Sequence, residues 1–126
     1  VNAFEGCSNL KKIVFPETLK EIFDRTFADC TSLTSIDLPK SLTRIGGWAF
    51  AKCSNLSVVS LPSTLISIGP GAFFGCNITE ITIPKSVTKI GENAFGESTN
   101  LTIYGESGSF AELYAKQNSY KFVSTN

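Results

Sequence analysis

Four cysteines stand at equal intervals, Cys7, Cys30, Cys53 and Cys76, each three residues after a phenylalanine, and the step between them is 23 residues. Thiols are the most versatile reactive groups in the chain, able in principle to ligate zinc, close disulfides or act as nucleophiles. The spacing argues against zinc. Its ligands converge from pairs two to four residues apart, whereas here each Cys stands alone and the chain has no His. Bridges between neighbouring cysteines stay open as a reading, but side chains pointing in parallel along one axis would strain them. A column of buried free thiols is the preferred expectation. Nucleophilic catalysis lacks its usual base, because a serine or cysteine nucleophile is normally activated by a histidine.

The carboxylates offer little more. Asp37 and Glu80 both alternate outward from predicted strands, but two repeats apart they would be about 10 Å from each other. That is near the far limit for a glycosidase pair, so two solvated side chains is the favoured reading. Asn55-Leu-Ser57, Asn77-Ile-Thr79 and Asn100-Leu-Thr102 match the glycosylation acceptor pattern. All three fall at the same point of the repeat, so the repeat itself generates them, and a glycan is not the expectation. No catalytic residue, metal site or cofactor is assigned, and the chain reads as a non-enzyme.

What positions these residues is the period itself. Phe4, Phe27, Phe50, Phe73 and Phe95 follow one another at steps of 23, 23, 23 and 22 residues. A fixed step of this size means stacked copies of one supersecondary unit, a solenoid. The second unit, from Cys30 to Phe50, is the clearest. Ile36 and Leu38 alternate with a polar residue, as in a half-buried strand. Pro39 ends that strand, as Pro16, Pro62 and Pro84 do in the other units. A second apolar pair, Leu42 and Ile45, lies on a return segment. Gly46 marks a turn, and the following Ala49-Phe50 suggests a short helical or 3₁₀ turn.

Stacked roughly 4.8 Å apart, equivalent positions form apolar columns. Leu10, Leu33, Leu56 and Ile78 make one. Ile13, Ile36, Val59 and Ile81 make a second, and Phe15, Leu38, Leu61 and Ile83 a third. The fourth unit is one residue short between Cys76 and Ile78, so a register adjustment is expected there. Beyond Phe95 the pattern decays. Leu101 and Ile103 supply a last strand ending at Tyr104, and Ser109-Phe-Ala-Glu112 reads as a capping box opening an amphipathic helix over 109–118. Phe110, Leu113, Tyr114 and Gln117 fall on one face of it, and a short apolar tail follows at Phe122-Val123.

The fold expected is therefore an α/β repeat, a solenoid with a parallel sheet on one face, short turns of helix and a C-terminal capping helix. Repeats occupy 1–97, with a partial unit at 1–6 and units starting at 7, 30, 53 and 76. A degenerate last repeat and the cap occupy 98–126. Residues 1–6 read as the tail of a repeat, so the chain is expected to begin inside a solenoid, without a leader, as a piece of a longer protein would.

Composition fits a folded domain, with 42% hydrophobic and 17% charged residues. Basic and acidic residues number 11 each, for a formal net charge of zero, and Lys and Arg form no run. Nucleic acid and membrane surfaces would call for a positive stripe, so neither is an expected partner. No stretch approaches the ~18 apolar residues needed to cross a bilayer.

The unit Cys-x-x-Leu-x-x-Ile-x-Leu-Pro-x-x-Leu-x-x-Ile-Gly-x-x-Ala-Phe-x-x-Cys resembles the 23-residue leucine-rich repeat of the BspA-like (Treponema pallidum-type) class. The resemblance spans residues 1–97, and the end segment resembles that of such proteins from gut and oral bacteria. Three departures stand out: Phe23 where the other units have Gly, Thr26 where they have Ala, and the missing residue after Cys76. The resemblance implies a secreted or surface-attached bacterial protein that acts as an adhesin or binding module toward host matrix proteins, host cells or other bacteria. It transfers no catalytic or ligand residue.

The residues left for binding are those that do not repeat. Strand positions turned away from the core are Lys12 and Val14, Ser35 and Asp37, Val58 and Ser60, Glu80 and Thr82. Trp48 and Phe74 occupy variable slots on the turn edge, where they either meet a ligand or pack on adjacent turns. The leading expectation is a non-catalytic extracellular module binding a protein, host-matrix or cell-surface ligand, with a glycan as a further candidate. A structural spacer, or an accessory domain of a larger surface protein or enzyme, is the alternative.

Overall fold

The computed structural model describes residues 3–126, so the first two residues of the partial repeat at 1–6 lie outside the described part. Along the chain come β1 (Glu21–Ile22), β2 (Ser35–Asp37), β3 (Arg44–Ile45), β4 (Val58–Ser60), β5 (Ser67–Ile68), β6 (Glu80–Thr82), β7 (Lys89–Ile90), β8 (Thr102–Gly105), α1 (Phe110–Gln117) and β9 (Lys121–Ser124). Every strand pairing is parallel; β1, β3, β5 and β7 line one side of the coil, and the even-numbered strands with β9 line another.

The first side is the expected strand face. β2 pairs with β4, and β6 pairs with β8, which pairs with β9. The central residue of β2, β4 and β6 is buried and its two neighbours are exposed, the alternation read from the sequence. The ladder is interrupted between β4 and β6, where the unit lacks one residue, so the register adjustment takes the form of a gap between two sheets. Leu38 and Ile83 donate their N–H groups across to the next coil, to the carbonyls of Ser60 and Tyr104, while Leu61 makes no such bond to Thr82.

Two expectations for this side are corrected. Residues 12–14 form no strand. With a described neighbour on one side only, and parallel pairing the weaker kind per residue, they stay extended outside the ladder. The apolar tail at Phe122-Val123 is instead the core of β9, which pairs in register with β8 from Thr102↔Lys121 to Gly105↔Ser124.

The return segment is also a sheet. β1, β3, β5 and β7 pair in that order, two residues each. Such brief ladders leave no alternation to detect, but they place Ile22, Ile45 and Ile68 inside. Just after them, Gly46, Gly69 and Gly91 sit where a Cβ would come within 2.3–2.8 Å of the preceding coil's backbone. Phe23 has no described coil before it and is tolerated there.

The third side corrects the expected helical or 3₁₀ turn. These segments are linked turns with a left-handed residue at every fourth position: Arg25 and Asp29, Trp48 and Lys52, Gly71 and Gly75, Asn93 and Glu97. A left-handed residue stops right-handed helix from propagating. It also aims alternate N–H groups along the axis. Phe4, Phe27, Phe50 and Phe73 donate to the carbonyls of Thr26, Ala49, Ala72 and Ala94, always toward the later coil, at 2.7–2.8 Å.

Between the three sides lies one core. Phe4, Phe27, Phe50, Phe73 and Phe95 stack with centroids 5.3–5.6 Å apart and planes within 11° of parallel. Tyr114 of α1 meets Phe95 edge-on at 6.3 Å and ends the stack. The helix buries Ala111, Tyr114 and Ala115, while Leu113, expected inward, is 51% exposed. The expected capping box is not made, and Glu112 reaches past the N-cap residue. It accepts from the Gly108 N–H, and the Ser109 hydroxyl donates to the Glu106 carbonyl instead of capping the helix.

Candidate binding surface

The reactive-looking groups are structural. All four cysteines are free. Cys30, Cys53 and Cys76 donate their thiols to the carbonyls of Phe4, Phe27 and Phe50, one coil earlier, at 3.1–3.3 Å. Burial, with the neighbouring Cys53 second, pushes the Cys30 thiol up to about 11. Cys76 is also driven upward, by its hydrogen bond with the Cys53 side chain and then by burial. Raised thiols are poor nucleophiles and poor ligands. Among the described residues no group of three His, Cys, Asp or Glu could hold a metal ion. Asn55, in the first acceptor pattern, spends its amide on the Thr31 carbonyl of the preceding coil at 2.7 Å.

What remains open is the strand face. Ser35 and Asp37 of β2 lie beside Val58 and Ser60 of β4 in register, and all four are exposed. Glu80 and Thr82 of β6 lie beside Thr102 and Tyr104 of β8, which lie beside Lys121 and Val123 of β9. Val58 is 61% exposed. Lys12 is exposed as well, on the extended segment before β1. Where the ladder is broken, Val58, Ser60, Glu80, Thr82 and Tyr104 line a hollow of about 720 Å³ with Val59 and Ile81 among its lining.

Trp48 and Phe74 lie elsewhere, on the turn side, and they meet each other. Their rings are 5.5 Å apart, tilted by 59°. The Trp48 indole covers Gly71, where a Cβ would be 2.4 Å from the ring, and Phe74 covers Gly96 in the same way. Both are half-buried. The sequence candidates therefore divide into the residues of β2, β4 and β6, this aromatic pair, and Lys12 with Val14 on the segment before β1. Sequence reading missed Tyr104, Thr102, Lys121 and Val123 as outward residues. The signal was present, since Thr102-Ile103-Tyr104 and Lys121-Phe122-Val123 each alternate about a buried or half-buried apolar centre.

Comparison with known proteins gives a consistent answer. The model of the BspA type leucine rich repeat region matches residues 1–102, in six copies. A leucine-rich repeat protein from Bacteroides ovatus superposes with a TM-score of 0.76 at 41% identity, covering 81% of this chain and 27% of its own. The leucine rich repeat protein of T. pallidum gives 0.79 at 33%, covering 82% and 49%. A leucine rich cell surface protein from Faecalibacterium prausnitzii gives 0.79 at 36%, covering 85% and 28%. The chain thus spans half or less of the length of these structures. No curated protein matches. No helix among the described residues is long and apolar enough to cross a membrane.

Proposed function

The chain belongs to the BspA-type leucine-rich repeat family, and from that premise we propose that it is a non-catalytic interaction module of a bacterial cell-surface or secreted protein, gripping a macromolecular ligand through its strand face. One observation carries the reading. The repeating residues are consumed by the core, whereas Ser35, Asp37, Val58, Ser60, Glu80 and Thr82 are held in ordered rows and left facing outward. Ordered strands that project non-repeating side chains offer shape complementarity over several coils, which is how solenoids bind. The surface placement has support from one neighbour, which is described as a cell surface protein. Protein is the favoured ligand class, with host-matrix and cell-surface components first and glycans next; Lys12, Trp48 and Phe74 complete the contact set.

The test is saturable binding of the 126-residue chain to immobilised matrix proteins, host cells and glycans. Replacing Lys12, Asp37 and Glu80 together by Ala should weaken that binding while leaving thermal stability nearly unchanged, because all three are exposed. The alternative, a spacer or accessory domain that displays a neighbouring function, draws on the strand face having one aromatic, Tyr104, where interface hot spots usually cluster several. Absence of saturable binding across the panel would favour the spacer.

A further inference from the structure

The hollow between β4 and β6 has a single charged residue in its lining, Glu80. Outward positions of β2, β4, β6 and β8 carry two carboxylates, Asp37 and Glu80, and no Lys or Arg. The basic outward residues, Lys12 and Lys121, lie at the two extremes of the face. Elsewhere Glu5 pairs with Arg25, Glu21 with Arg44 and Glu112 with Lys116, and Asp24 accepts from the Gly47 N–H. Among the described residues neither Asp37 nor Glu80 forms an ion pair.

Glu80 has an aromatic neighbour. Thr82 and Tyr104 are register partners, so Tyr104 is diagonal to Glu80 on the same face. With strands about 4.8 Å apart and a two-residue step of about 6.6 Å along each, the diagonal is roughly 8 Å. That interval suits a guanidinium or ammonium group set between a carboxylate and the face of a phenol ring, each of which attracts a cation. The hydroxyls of Ser60 and Thr82 add acceptors at the rim, and exposed Val58 offers an apolar surface for the methylene stem of a long side chain.

We propose that this hollow is the seat for a basic side chain, arginine before lysine, carried by an extended segment of a partner protein. The proposal rests on the interaction-module reading and names the chemistry of its partner. Arginine is preferred because its planar fork can bond the carboxylate while stacking on the ring. The Glu80 carboxylate repels phosphate, so nucleic acids and phosphorylated segments are poor occupants.

The probe is a short uncharged-backbone peptide, acetyl-Gly-Arg-Gly-Arg-Gly-amide, titrated into the ¹⁵N-labelled chain, against the same peptide with citrulline in place of arginine. Amide shifts should move in β4, β6 and β8, the affinity should fall as salt is raised, and the citrulline peptide should bind more weakly. Glu80→Gln should weaken binding about five-fold and Tyr104→Leu about three-fold, both with unchanged thermal unfolding. Equal binding of the citrulline peptide, shifts confined to other regions, or full affinity in Glu80→Gln would each overturn the proposal. If the chain captures a macromolecular ligand with an affinity untouched by Glu80→Gln, this seat is wrong and the module reading survives. If it binds nothing on the panel and not the arginine peptide, both fall together.

Discussion

The first coil and the middle coils are built from the same residues and end in different states. Leu33, Leu42 and Phe50 are fully buried, whereas their counterparts Leu10 and Leu19 are half-buried and Phe4 is 48% exposed. Val14, beside them, is 84% exposed. Phe4, Leu10, Ile13, Phe15, Leu19 and Ile22 line an apolar hollow of about 470 Å³. At the opposite end, α1 and β9 cover Phe95 and Ile103 completely. Burial in a solenoid is thus a property of having a coil on each side and not of the residue type, because no unit can bury its own apolar face.

The sharpest way to break this comparison is to cut the ring stack at two points. Phe50→Ala should cost about 3–5 kcal/mol in urea unfolding, while Phe4→Ala, with only one stacked neighbour and much exposure, should cost under about 1 kcal/mol. Equal losses would mean that burial does not set the energetics. Next comes the closed end. Tyr114→Ala removes a buried ring from the face of Phe95 and should cost about 3 kcal/mol; a loss as small as that of Phe4→Ala would show that α1 adds little to the core.

A smaller effect has the opposite sign. Ser98 stands where the other coils have Cys, is 8% exposed, and its hydroxyl has no partner. The shorter side chain does not make the bond to the preceding Phe carbonyl that Cys30, Cys53 and Cys76 make. Ser98→Cys should therefore stabilise by about 1 kcal/mol, with Phe73 as the acceptor. A destabilised variant would count against the thiol ladder as a source of stability. The last test is pH. Cys30 is raised in the folded chain from the ordinary 9.0 to about 11. Its contribution is intact below pH 9 and is lost as pH rises through 11, so unfolding midpoints should decline across that window and decline less in Cys30→Ala. A flat profile would mean the thiols are wetter than their burial implies.

Much of this was legible in the sequence because identical spacing is a geometric statement. The Phe and Cys columns, the Ile36-type strands and the place of the register change all follow from counting residues. What escaped was of another kind. β1, β3, β5 and β7 are too brief to produce a pattern. Phe122 was read as tail because one alternating pair is weak evidence for a strand. Leu113 was placed inward because period alone cannot choose between adjacent helix faces, and small Ala111 and Ala115 fit closer to β8. The strand-face candidates could be named from alternation, but their neighbours could not. Which outward residue stands beside which depends on register, and so Tyr104 diagonal to Glu80 emerged only in three dimensions.

The turn side holds one further consequence. Its cross-coil hydrogen bonds all run the same way, each N–H toward the later coil. Peptide dipoles of about 3.5 D aligned head to tail add up along the axis, as they do in a helix. Here the sign is reversed relative to chain direction. On this side the negative pole lies at the coil of Phe4 and the positive pole at the last turn, which carries Glu92 and Glu97. The turn side is therefore an electrically polar wall whose positive end carries carboxylates, while the return side, where Gly46, Gly69 and Gly91 donate back to Ile22, Ile45 and Ile68, runs the other way.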